Sequence, residues 1–184
     1  MAEAFAQQAL GMWGYMTDLR GLTVDPSCTR VVEARGVDLI SLLYAWLDGC
    51  LCCYGSDYFV GREVSVTHWE SGTSGCCIRA VVRGEKFKFE KHSQGTEVKA
   101  ITYSNMQIFT EDGGLITAND AQDHAMGAGG GFGEIPPPEQ HLPKPVTVGA
   151  LQNVATGAGE RRSEEEEARG LRRGLVDIYC IVDI

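Results

Sequence analysis

Phe5, Ala6, Ala9, Leu10, Trp13 and Met16 recur at helical spacing behind Ala2, while Glu3, Gln7 and Gln8 take other faces. The spacing predicts an amphipathic helix over 2–16. It begins at the first residue, with no cap and no strand before it. That start implies a preceding element that is missing from this chain or never existed. Asp25 and Pro26 then mark a connection, and CTRVVEAR at 28–35 reads as a short strand with Val31 and Val32 on opposite faces. A second helix is predicted over roughly 37–54. Leu39, Leu42, Leu43, Trp46, Leu47, Cys50 and Tyr54 form its apolar stripe, and Asp38, Ser41, Ala45 and Asp48 the other side. Asp38 suits the positive end of the helix dipole.

From residue 58 the period changes to two. Strands are predicted at 62–69, 76–84 and 85–91, the last with Phe87 and Phe89 inward. A long strand is predicted over 96–109, with Val98, Ala100, Thr102, Ser104, Met106 and Ile108 on one face. LVDIYCIVDI at 175–184 reads as its antiparallel sister. The intervening 112–174 differs in kind. It holds five of the six prolines, the run MGAGGGFG and the block RRSEEEEARGLRR. It reads as a largely disordered insertion, a hairpin loop grown large at modest entropic cost. The organisation is therefore a main domain over 1–111, the insertion over 112–174, and a closing strand over 175–184.

Composition narrows the classes. The chain has 184 residues, 43% of them hydrophobic, which suits one domain with a sizeable core. No run of about 18 apolar residues suggests a membrane span. No targeting signal is visible at the N-terminus, so the cytoplasm, the nucleus or both are the expected compartments. A formal net charge of -9 without a basic stripe argues against strong direct nucleic-acid binding. The seven cysteines contain no CxxC pair and read as reduced, mostly buried thiols. GAGGGFG lacks the strand before and helix after that a dinucleotide fingerprint needs.

No local catalytic signature stands out, and the carboxylates are the better lead. Asp183 lies beside the terminal Ile184 carboxylate, and two such anions need either solvent or a hard cation between them. In KHSQGTEVK, His92 reads as a turn residue, and Glu97 and Lys99 as a surface pair two positions apart. Asp38 and Asp48 fall about 80° apart around their helix.

Several segments together resemble the archease family. They are EAFAQQALGMWGYMTD at 3–18, GVDLISLLYAWLDGCL at 36–51, GREVSV at 61–66, KHSQGTEVKAITYSNMQI at 91–108 and IVDI at 181–184. The K-H-x-x-G-T-E-V-K-A-I-T-Y run is the most specific. The resemblance implies an α+β fold, two helices packed on a mainly antiparallel sheet. It implies an accessory protein rather than an enzyme, one that promotes guanylylation and repeated turnover of an RtcB-type RNA ligase in tRNA splicing. It also implies a divalent metal, Ca²⁺, held by Asp183 and Ile184. Asp38, Asp48, His92, Glu97 and Lys99 are then candidates for docking the ligase. The chain departs from the family in three ways. The aspartate of an N-terminal D-H-T-A-D motif has no match, L-D-E reads L-D-G at 47–49, and the insertion has no counterpart. Two other classes stay open: a metal-dependent hydrolase, and a chaperone-like scaffold without ligase specificity.

Overall fold

The computed structural model describes residues 1–110, 112–118, 142–147, 177–179 and 182–183. Two helices, α1 (Ala2–Met16) and α2 (Leu39–Asp57), cover one face of an antiparallel sheet. The sheet contains β1 (Thr29–Gly36), β2 (Phe59–Gly72), β3 (Gly75–Lys86) and β7 (Val146–Thr147) in the order β1-β3-β2-β7. Short strands complete the architecture. β4 (Ala100–Ile101) pairs with β9 (Val182–Asp183), and β5 (Gln107–Phe109) lies between β6 (Leu115–Thr117) and β8 (Asp177–Tyr179). The α+β class expected from the sequence is the class observed.

The helix stripes fill the core as their spacing predicts. Phe5, Leu10 and Trp13 of α1 meet Ile40, Leu42, Leu43, Trp46 and Leu47 of α2, all fully buried. Beneath them lie Val32 and Ala34 of β1 and Ile78, Ala80 and Val82 of β3. Trp46 also ties the helices together, its Nε1 donating to the Phe5 carbonyl at 2.8 Å. Trp13 needs a gap in the sheet, and Gly61 provides it: a Cβ there would stand 2.3 Å from the indole. α2 is long and apolar enough to cross a membrane by length and composition alone. Its apolar stripe nonetheless lies in this core.

α2 starts later than its periodicity suggested. Gly36 ends β1, and Asp38 caps the helix, its carboxylate accepting from the Ser41 amide while the Ser41 hydroxyl accepts from the Asp38 amide. That capping box satisfies two backbone donors at once. Gly49 does not interrupt the helix. A Cβ there would stand 3.2 Å from Val32 Cγ1, so the glycine permits close helix–strand approach.

Two expected strands are cut short or broken. The alternation at 85–91 stops at Lys86, and the Lys91 and His92 amides both donate to the Lys88 carbonyl, closing a turn. Phe87 packs against the core, but Phe89 is 72% exposed, not inward. The long strand at 96–109 is broken between β4 and β5. Asn105 takes a left-handed conformation at φ 57° and the Met106 amide turns back to the Tyr103 carbonyl. The break changes which residues face inward. Val98, Ile101, Met106 and Ile108 are buried, whereas Ala100 and Ser104 are exposed.

The expected pairing with the C-terminal strand is present despite the break. Phe109 stands opposite Asp177, Gln107 opposite Tyr179, Ile101 opposite Val182 and Ala100 opposite Asp183. The insertion falls largely outside the described residues. Its described parts are ordered: Leu115–Thr117 is β6, paired with β5, and Val146–Thr147 adds to the sheet edge beside Glu63 and Val64. The six cysteines that fall in the described residues are free thiols: Cys50, Cys76 and Cys77 are buried and Cys52 is exposed. Cys180 lies outside the described residues.

Candidate functional site

The KHSQGTEVKAITY segment is built from its first residues upward. His92 lies at the turn expected of it, its amide donating to the Lys88 carbonyl, but its side chain is fully buried. Its Nδ1 accepts from the Lys88 amide at 2.9 Å, which places the ring proton on Nε2. That nitrogen lies 3.1 Å from Glu85 Oε1. Glu85 also accepts from the Thr23 amide and from the Lys91 ammonium at 2.6 and 2.7 Å. Partial burial alone would push the Glu85 carboxyl up. The Lys91 ammonium, the Thr23 amide and the His92 ring outweigh it and hold the group below the usual glutamate range.

This hub makes stability depend on pH. The folded-state value lies below the unfolded one. The Glu85 contribution is therefore complete above the ordinary range, about 4.3, and is lost as pH falls through it towards the folded value. Glu85→Gln should flatten the fall in chemical stability between about pH 5 and pH 3. Denaturant midpoints across that window measure it, and an unchanged slope would contradict it.

The next four residues tether the segment to the end of α1. The Gly95 amide donates to the Met16 carbonyl at 2.8 Å and the Thr96 amide to the Tyr15 carbonyl at 3.2 Å. Thr17 Oγ1 donates to the Ser93 carbonyl at 2.7 Å, and the Asp18 amide to Ser93 Oγ at 3.2 Å. The last carbonyls of a helix lack intrahelical partners, so this loop satisfies them. Gly95 is required by the approach: a Cβ would stand 2.4 Å from the Tyr15 carbonyl oxygen.

From there the chain runs back along α2. The Glu97 charge reaches Tyr54 near the helix C-terminus; burial first, then Glu97, pushes that phenol up. Tyr103 stacks on Tyr44 nearer the N-terminus, ring centroids 4.3 Å apart. Val98 and Ile101 are buried between these points, leaving Glu97 and Lys99 exposed. Asp48 is exposed on α2.

The five docking candidates therefore divide. Asp48, Glu97 and Lys99 are each exposed. Asp38 spends one carboxylate oxygen on its cap, and its Oδ2 is buried without a partner among the described residues. His92 is structural and reaches no partner while its loop is closed. Asp183 has its backbone opposite Ala100, next to Lys99. Ile184 lies outside the described residues. The oxygen donor of Asp183 is the type a hard divalent cation takes, so the donor chemistry fits Ca²⁺; two residues alone do not fill its usual six to eight positions. Sequence reasoning missed Glu85 and Gly95. The G-T after K-H-x-x was visible, but its contact with α1 was not.

These features define a small α+β protein whose glycine-pinned loop feeds a charged segment along its second helix. The family model described as the Archease protein family (MTH1598/TM1083) matches residues 1–119. The chain is 50% identical over 109 residues to protein archease of Danio rerio, covering 59% of this chain and 65% of the relative. It is 38% identical over 108 residues to protein archease of Thermococcus gammatolerans, covering 59% and 74%. The solution structure of protein 1598 of Methanobacterium thermoautotrophicum superposes with a TM-score of 0.51 at 32% identity, covering 61% of this chain and 77% of that one. This chain belongs to the archease family. It spans about 65% of the length of the zebrafish relative.

Proposed function

We propose that the chain is an accessory activator, not an enzyme, for an RtcB-type RNA ligase in tRNA splicing, promoting ligase guanylylation and repeated turnover. Membership of the archease family over residues 1–119 carries this reading. The acidic balance supports it, because the ligase rather than this protein would hold the RNA. Asp48, Glu97 and Lys99 are the exposed candidates that would meet the ligase. None of them belongs to the buried core, so a partner can reach them without unfolding the domain.

Asp183 and Ile184 would hold the Ca²⁺, whose charge offsets the repulsion between converging carboxylates. The β4–β9 pairing sets the Asp183 backbone opposite Ala100. Asp183→Ala should lower stimulation of the cognate ligase by about tenfold or more. It should also abolish the rise in thermal midpoint that Ca²⁺ gives the unsubstituted chain. Full stimulation with the variant would remove the metal from the account.

A further inference from the structure

A different group of side chains lies on the opposite face of the sheet from the helices. β2 carries a register irregularity between Val66 and His68. Beyond it Trp69 stands against the core, its ring edge-on to Phe5 with centroids 4.9 Å apart. His68 and Glu70 alternate with Trp69 and so project from the outer face. Glu70 is directly opposite Cys77 of β3. The hairpin thus gathers one imidazole, one carboxylate and one thiol, their ligand atoms all within 4.8 Å of one another. Glu70 Oε2 lies 3.9 Å from both His68 Nε2 and Cys77 Sγ.

We propose that His68, Glu70 and Cys77 form a binding site for a borderline-soft divalent cation of the Zn²⁺ class, distinct from the Asp183 end of the molecule. The donor set decides the class. Thiolate and imidazole favour Zn²⁺ over the hard cations, which take oxygen. Bond lengths of about 2.0–2.3 Å in a tetrahedron put ligand atoms about 3.3–3.8 Å apart, so the widest separation must close by about 1 Å, which the exposed Glu70 side chain can follow. Three protein ligands leave a fourth position for water.

The charge balance is compatible. Thiolate and carboxylate together offset a dication. Two arginines border the site: Arg35 opposite Cys77 on β1, and Arg79 opposite His68, which is already paired with Glu33. Burial first, and then the Glu70 charge, push the Cys77 thiol up, while Arg35 pulls it down. Binding would release that thiol proton, so affinity should rise with pH. Cys77 is 5% exposed and Glu70's side chain 65%, so one ligand is fixed in the sheet and another is free to close over the ion.

The test uses the full chain, reduced and stripped of metal, with Co²⁺ as the probe and Zn²⁺ as competitor. Co²⁺ should saturate one site with thiolate-to-cobalt charge-transfer absorption, bleached by Zn²⁺. Cys77→Ser should abolish that absorption, and His68→Ala and Glu70→Gln should each weaken Co²⁺ binding by about tenfold or more. Cys52→Ser, at an exposed thiol elsewhere, should change nothing. If circular dichroism shows Cys77→Ser unfolded, the double variant His68→Ala, Glu70→Gln decides instead. Absence of the charge-transfer band in the unsubstituted chain overturns the proposal. So does its persistence in Cys77→Ser, or unchanged affinity in the double variant.

Discussion

Trp46→Ala should lower the unfolding free energy by about 3–5 kcal/mol. The indole is fully buried between the two helices and the sheet, so its removal leaves a cavity that close packing cannot refill. It also leaves the Phe5 carbonyl without the indole donor at 2.8 Å. The two losses separate experimentally. Trp46→Phe keeps most of the volume but loses the donor and part of the ring, and should cost about 1–3 kcal/mol. Chemical denaturation of the two variants measures the difference. Equal, small losses would mean that α1 and α2 are not joined through this side chain.

The second large effect is expected at Gly95. A methyl group there would press on the Tyr15 carbonyl, which belongs to helix backbone and cannot swing away as a side chain can. Gly95→Ala should therefore detach the loop from α1 and break the Gly95–Met16 and Thr96–Tyr15 hydrogen bonds. Overpacking and two lost hydrogen bonds together put the cost at about 2–4 kcal/mol. Amide hydrogen exchange at Gly95 and Thr96 should accelerate far more than exchange in β3. Uniform acceleration across the sheet would instead mean that the loop is an inseparable part of the core. The same substitution should disturb Glu97 and Lys99, because the loop sets where their segment meets α2.

Both helices were legible because each has a stripe of apolar residues at period 3.6 and one dominant core to face. β1, β2 and β3 were legible for a similar reason, although their ends were not. The tail of 85–91 alternates like a strand, yet Phe89 faces solvent because His92 and Glu85 impose a turn on the backbone. Alternation reports spacing; it does not report whether a neighbouring strand is present to pair. The break at Asn105 was hidden for the same reason, since a single left-handed residue resets the inward face without changing composition.

The charged segment was recognisable in the sequence, but its division of labour was not. His92 and Lys99 are only seven residues apart, and the family resemblance made both docking candidates. Burial separates them, and burial depends on contacts with Thr23, Glu85 and α1 that are distant in the chain. The pairing of Asp183 with Ala100 was more accessible, because two hydrophobic strands flanked one polar insertion. The His68, Glu70 and Cys77 group had no signature at all. Its ligands are split across a hairpin, and a register irregularity sets their common face.

Ligase turnover is the most direct measurement of the central claim. The cognate RtcB-type ligase would be limiting, with GTP, Mn²⁺ and excess cleaved RNA, with and without this chain. The account predicts that RNA joined per ligase molecule rises well above one only when the chain is present, and that the chain alone joins nothing. Turnover that stays at one with the chain present would contradict it.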